Sequence, residues 1–268
     1  MKNLLKAIGI FCLCGIGFTI LSLVLAFAAP EFSSSLAGIY VTQTLSLVIV
    51  FGIPALWGIR VTEKGNPFEL TGMKRGLDGR QVLLVVALAV VAIPMVSWLE
   101  EWNKKLPLPQ VLQMMEEAAT ALTERLMNTH SVGQLIVNIL VIGGVPAICE
   151  ELMFRGWIQR RLTGAMNHHL GIWIAAIIFS AVHLQFQGFV PRMMLGAMLG
   201  YAYYYTGSLW ASAIVHFLNN SIACVVGFLI YNNVLEETEP SWAVAIALVA
   251  VVITVVYYLS RRAAEHEK

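Results

Sequence analysis

The chain has 268 residues, 58% of them hydrophobic and 12% charged, with a formal net charge of +1 and a mean hydropathy of +0.75. An ordinary soluble domain is roughly 45–50% apolar and about 25% charged, so this chain has too little polar surface to cover a globule in water. That composition excludes a soluble enzyme and a disordered tail, and the balanced charge leaves no basic footprint for nucleic acid. Cys12, Cys14, Cys149 and Cys224 lie in apolar stretches without the spacing of a zinc site or disulfide framework, and read as packing residues.

A membrane helix needs about 20 mostly apolar residues. Taken in chain order, such runs occupy 7–29, 39–59, 82–99, 135–158, 170–184, 193–205, 209–231 and 242–259. The expected fold is therefore all-α, a polytopic membrane protein of about eight transmembrane helices in a single membrane domain, 1–268. The first run is too long for the apolar core of a cleaved signal, roughly 7–15 residues, and reads as a retained helix. The fifth and sixth runs are short, which allows the linker Gln185-Phe186-Gln187-Gly188 to lie below the membrane surface.

Basic residues test this order, because cytoplasmic loops carry the excess of Lys and Arg. With the N-terminus inside, only Lys104, Lys105, Arg125 and Arg192 fall on the outer face. All others fall inside, including Lys2, Lys6, Arg60, Lys64, Arg262 and Lys268. The expectation is a multi-pass protein, of the plasma membrane, with both termini cytoplasmic. Between the third and fourth runs, Val111, Met115, Ala118, Ala119, Leu122 and Leu126 form a helical stripe with Glu116, Glu117, Glu124 and Arg125 off it. That pattern predicts a helix lying on the outer surface. Gly196 and Gly200 form a GxxxG pair suited to close helix packing.

Ionisable groups inside a membrane are costly and by default mark a functional site. They concentrate in three places: Glu150-Glu151-Leu152-Met153-Phe154-Arg155, Phe179-Ser180-Ala181-Val182-His183, and His216-Phe217-Leu218-Asn219-Asn220. Glu151 and Arg155 are four apart and can pair, which lowers the cost of burying both. Glu150, rotated by about 100°, is left without that partner and should face another helix. His216 and Asn220 share one helical face. At about 1.5 Å per residue, Glu150 lies roughly 15 Å above Arg160, and His183 roughly 21 Å above His169. His216 and Asn220 lie roughly 12 and 18 Å above Ser208, so all four fall in the middle half of a core about 30 Å thick. Other polar residues have simpler readings. His168 and His169 read as interfacial caps, Glu100 and Glu101 as solvated, and Asn138 as an interhelical hydrogen-bonder.

These motifs resemble those of the CAAX protease and bacteriocin-processing (CPBP, type II CAAX prenyl endopeptidase-like, Abi) family of intramembrane proteases. Glu150-Glu151-x-x-x-Arg155 resembles its EExxxR, Phe179-x-x-x-His183 its FxxxH and His216-x-x-x-Asn220 its HxxxN, in the family's order. The resemblance covers roughly 132–231 as a catalytic core, and it implies an endopeptidase acting on a membrane-associated protein or peptide. On that resemblance Glu150 and His183 would activate water, His216 and Asn220 would bind the oxyanion, and Glu151 with Arg155 would support the fourth helix. General-base chemistry by a desolvated carboxylate and stabilisation by fixed donors agree with it. The family has also been described as metalloproteases, and Glu150, His183 and His216 would supply the three N/O ligands of a catalytic Zn2+. With no HExxH in the chain, and an Asn beside the second His, metal-independent glutamate catalysis is the favoured expectation. A non-catalytic membrane protein of bacteriocin immunity or assembly is the alternative. A proton-coupled transporter ranks lower, because the repeated halves it predicts are missing from the sequence. The expected partners are membrane lipids and the substrate, with no nucleic acid.

Overall fold

The computed structural model describes residues 2–63, 65–236 and 242–266. Lys64 and Lys268, which entered the charge count, lie outside the described residues, as do the side chains of Lys2, Lys6 and Arg262. The described elements are helices without strands, as composition demands, because a chain in lipid must satisfy its backbone internally. The principal helices are α1 (Lys2–Ala28), α2 (Leu36–Glu63), α3 (Gly79–Lys104), α4 (Gln110–Met127) and α5 (Val132–Ala165). After them come α6 (His168–Ala181), α7 (Phe189–Thr206), α8 (Leu209–Tyr231) and α9 (Trp242–His266). Five stretches are long and apolar enough to cross a membrane: Gly9–Ala28 of α1, then α2, α3, α5 and α8. The remaining three runs are also helical, although α6 has only 14 residues.

Local signals explain most of the boundaries. Asp78 and Gln81 form a capping box at the start of α3, which satisfies otherwise orphaned N–H groups. Asn167 caps α6 by accepting from His169 N. The two histidines therefore do not cap that helix: His168 stacks on Tyr204 at 4.7 Å between centroids, and His169 Nδ1 meets Tyr201 Oη at 2.9 Å. Gly207 ends α7 with φ 65°, a left-handed conformation that glycine adopts without steric cost.

Helices α2 and α5 contain wide π-helical turns, at Leu47–Gly52 and at Ile139–Gly144 and Leu152–Gln159. Such turns are rare and often fall at functional sites. Two of them run up to a proline, Pro54 and Pro146. Proline has no N–H and clashes with the carbonyl four residues earlier, so the ladder has to reorganise there.

Two buried apolar clusters form the core. One joins α3, α7, α8 and α9 through residues such as Leu88, Leu199, Val215 and Leu259. The other joins α2, α5 and α6 through Ile59, Phe154, Trp157 and Phe179. Lipid tails are as apolar as these side chains, so close packing and interhelical hydrogen bonds hold such helices together. The glycines of α7 serve both. A Cβ at Gly196 would come within 3.2 Å of Ala176 Cα, and one at Gly200 within 2.8 Å of Ile172 Cγ2. The expected small-residue packing is present, against α6.

Helix α4 forms where its periodicity placed it, and its burial adds detail. Ala119, Leu122 and Leu126 turn inward or are partly covered, but Val111 is 68% exposed, Met115 is exposed, and Glu116 is buried at 8%. Glu116 Oε1 accepts from Gln187 N at 2.9 Å. The need to satisfy that loop N–H rotates the helix away from the face that apolar periodicity picked. Glu100 and Glu101 are likewise not simply solvated, since both pair with Lys104, at 3.2 and 3.0 Å. Asn138 behaves as expected, donating to Leu126 O at 2.8 Å and accepting from Tyr40 Oη at 2.6 Å. All four cysteines are free thiols.

Overpacking a tight core costs about 1–3 kcal/mol. Gly196→Leu should therefore lower the melting temperature in detergent, whereas Gly15→Leu, where no atom lies within 4 Å of the new Cβ, should not. Equal melting of the two variants would show that the α6–α7 contact does not need glycine.

Candidate active site

The site grows from one oxygen. Glu151 Oε1 accepts from Arg155 Nη1 at 2.9 Å and from His216 Nδ1 at 2.8 Å. Glu151 is 0% exposed and Arg155 1%. Arg155 Nη2 goes on to donate to Gly196 O at 3.0 Å. One turn further, Gln159 Nε2 donates to Gly200 O at 2.8 Å. Two donors four residues apart on α5 thus meet two carbonyls four residues apart on α7, and the missing side chains of Gly196 and Gly200 let them approach. The Glu151–Arg155 pair is the helix support that its spacing predicted. Glu151 does more than that, because it fixes the ring of His216.

His183 lies just beyond α6, in a turn rather than in the helix. Fourteen residues of α6 span about 21 Å, short of a hydrocarbon core of about 30 Å, so the turn falls within the depth of the bundle. Leu184 takes a φ of 55° there, uncommon outside glycine. Side chains from three other helices hold the segment that follows. Asn103 Nδ2 donates to Phe186 O at 2.7 Å, Glu116 accepts from Gln187 N, and Arg192 Nη1 donates to Gln185 O at 3.2 Å. Irregular backbone at membrane depth needs such partners.

The FxxxH spacing has a direct meaning. His183 Nδ1 lies 2.8 Å from Phe179 O. A carbonyl only accepts, so Nδ1 carries the proton, and in the neutral ring Nε2 presents its lone pair. The Phe179 ring is the hub of the site. It packs edge-on against His183 at 5.1 Å and His216 at 5.9 Å, with Arg155 Cζ 4.6 Å from its centroid. Glu150 Oε2 then lies 3.9 Å from His183 Nε2 and 4.0 Å from His216 Nε2. The two imidazoles flank one carboxylate oxygen, too far for direct hydrogen bonds and close enough to share a small bound molecule.

Asn220 is anchored by the proline effect. Pro146 has no N–H for the carbonyl four residues earlier, that of Ile142. Asn220 Nδ2 supplies a donor to Ile142 O instead, at 3.0 Å. Asn220 Oδ1 accepts from Asn219 Nδ2 at 3.2 Å, which fixes the amide orientation and leaves one N–H of Nδ2 to offer elsewhere.

Residues 132–222 match the family described as "Type II CAAX prenyl endopeptidase Rce1-like". Over that stretch the chain is similar to that family. The match contains all three motifs and ends two residues past Asn220. The curated protein YpbD of Bacillus subtilis (strain 168), itself described as uncharacterized, is 28% identical over 112 residues, 40% of this chain and 53% of its own length. The chain thus spans about half the length of that relative. No solved structure matches the chain.

A cavity of about 530 Å³ is lined by Glu150, Phe179, His183, Arg192, His216 and Asn220 of the matched segment, together with residues of α2, α3 and α4. Helix α4 closes another side with Ala119, Leu122 and Leu126. Sequence reasoning missed three contributors. Arg192 was counted only as an outer charge, yet its Nη2 also donates to Gln185 Oε1 at 2.9 Å, and its guanidinium couples electrostatically to Glu116, Glu150 and Glu100. Glu116 was read only as lying off the apolar stripe of α4. Gln159 carried a usable signal, standing four residues after Arg155 as Gly200 stands four after Gly196.

For zinc, the donor types are suitable, and both imidazoles have their Nδ1 fixed by an acceptor, as zinc ligands usually do. The spacing is too wide. Ligands about 2.1 Å from a tetrahedral ion stand about 3.4 Å apart, against 3.9 and 4.0 Å here. Among the described residues no group of three His, Cys, Asp or Glu side chains is arranged to hold a metal ion.

Removing one partner of a buried pair strands the other charge, at about 3–5 kcal/mol. Arg155→Met should lose that much stability, far more than Lys104→Met at its exposed pairs. Thermal unfolding of both variants reads the contrast, and equal losses would remove the Glu151–Arg155 pair from its central place.

Proposed function

We propose that this protein is an intramembrane endopeptidase, with residues 132–231 as its catalytic core, cleaving a membrane-associated protein or peptide. One observation carries the reading: a buried carboxylate, Glu150, flanked within about 4 Å by two imidazole nitrogens at a cavity large enough for a peptide segment. The similarity of residues 132–222 to a family of prenyl endopeptidases supports it. In this topology both termini are cytoplasmic, as the basic residues suggest.

In the proposed mechanism, a water with hydrogen bonds of about 2.8 Å to Glu150 Oε2 and His183 Nε2 bridges their gap. Glu150 takes one proton as the oxygen attacks the peptide carbonyl, and that proton passes to the leaving amine. His216, held by Glu151, and the second N–H of Asn220 serve the developing oxyanion. An Nε2–H on His216 makes that ring a cation, and the Glu151 carboxylate on its Nδ1 stabilises it. The wide spacing of Glu150, His183 and His216 favours this metal-independent route over zinc.

Loss of a general base costs about 10²–10⁴ in rate. Glu150→Gln should lose that much turnover while folding normally. Comparative proteomics of membranes carrying either form should reveal new protein termini only with wild type, and chelator-treated wild type should still produce them. Near-normal cleavage by Glu150→Gln would remove the carboxylate from the mechanism, and loss of cleavage with chelator would shift it to metal.

Asn220 should show two separable effects. Asn220→Ala strips the Ile142 carbonyl of its donor, at an average of about 0.6 kcal/mol for an interhelical bond. An oxyanion role adds a fall in kcat of roughly 10²–10³ with little change in KM. Reduced stability with intact kcat would leave Asn220 as a structural clamp only.

A further inference from the structure

A second and larger cavity, about 1070 Å³, lies between α2, α5 and α6. Phe154 lines it and packs edge-on, 5.1 Å between centroids, against Phe179 of the catalytic cavity. One layer of rings therefore separates the two. Its walls are almost wholly apolar, with Trp157, Ile178 and Val182 beside Phe154.

The mouth is different. Glu63, Arg160 and Arg161 line it, so two guanidinium groups share one carboxylate. Arg160 Nη1 takes that carboxylate at 2.5 Å. Arg161 Nε is left 3.8 Å from Glu63 Oε1, beyond hydrogen-bond range, and both atoms are buried with no hydrogen-bond partner. The indole N–H of Trp157 is also buried without a partner, in a residue only 4% exposed. Buried polar groups are ordinarily hydrogen-bonded; here two unpartnered donors, Arg161 Nε and Trp157 Nε1, stand against one unpartnered acceptor, Glu63 Oε1, and that surplus of donors points to an oxygen-rich ligand.

Length narrows the choice. Gly171 packs on the backbone of Thr163 at the mouth, and Val182 stands eleven residues further along, roughly 16 Å away. That matches one leaflet, half of a core about 30 Å thick. The groove suits a single hydrocarbon chain, with a surplus positive charge where its polar end emerges.

We propose that this groove binds an anionic glycerophospholipid, one acyl chain lying against Phe154, Ile178 and Val182 and the phosphate meeting Arg161 beside Arg160. Basic pockets between membrane helices recognise anionic head groups in this way. The site is separate from the catalytic cavity and does not depend on proteolysis.

The test uses delipidated full-length protein in detergent and native mass spectrometry, with equal concentrations of dioleoyl phosphatidylglycerol and dioleoyl phosphatidylcholine. Wild type should retain the anionic lipid over the zwitterionic one by roughly fivefold, the scale of one basic contact. Arg161→Gln should erase the preference while still binding either lipid. Gly164→Trp adds a ring at a groove residue whose new Cβ meets no atom within 4 Å, and should reduce retention of both. Lipid-free melting temperatures equal to wild type establish that each variant is folded. No preference in wild type, or unchanged retention in both variants, would overturn the proposal. So would displacement of the lipid by geranylgeraniol equally in wild type and Arg161→Gln, which would assign the groove to an isoprenoid chain.

Discussion

A single carboxylate oxygen, Glu151 Oε1, accepts from both Arg155 and His216 in the buried interior of the helices. Nothing in hydrocarbon solvates an unpaired charge, so each group must be held by the next. The chain of bonds runs from Gly196 O on α7, through Arg155 and Glu151 on α5, to His216 on α8. Three helices are thereby fixed in rotation and depth. Glu150, next along α5, is turned by its neighbour's commitment toward the gap between His183 and His216.

The same economy appears where the helices depart from regular geometry. Pro146 deprives Ile142 O of its ladder partner, and Asn220 supplies the replacement. The turn after α6 exposes backbone groups that Asn103, Arg192 and Glu116 satisfy from three different helices. Polar side chains that hold the helices together therefore stand at the same depth as those proposed for chemistry. A mutation at Asn220 or Arg155 disturbs structure and site at once, whereas Glu150 makes no hydrogen bond that the fold requires. That difference is why Glu150 is the sharper probe of catalysis.

The cavity at Glu150 and the apolar groove share a wall of aromatic rings. Phe179 faces the imidazoles on one side and meets Phe154 on the other. Phe154 in turn lines the groove whose mouth carries Arg160 and Arg161. Polar and apolar compartments lie back to back because the Phe154 and Phe179 rings pack edge-on between them.

The sequence by itself determined the all-helical membrane character, the helix order and the polar positions Glu150, His183, His216 and Asn220, which line one cavity. Those follow from apolar run length, and from the cost of burying charge, which makes intramembrane carboxylates and imidazoles visible against a hydrophobic background. The pairing of Glu151 with Arg155 was legible too, because four-residue spacing is a local property of a helix. Tertiary structure alone decided the rest. That Glu151 holds His216 depends on how α5 and α8 cross, and that Glu116 faces inward depends on a loop N–H seventy-one residues away. The role of Arg192 was hidden for the same reason. A charge near a helix end reads as solvated until the loop that folds over it is known. Periodicity reports which face of a helix is apolar, but the partner that most needs a hydrogen bond decides which face turns in.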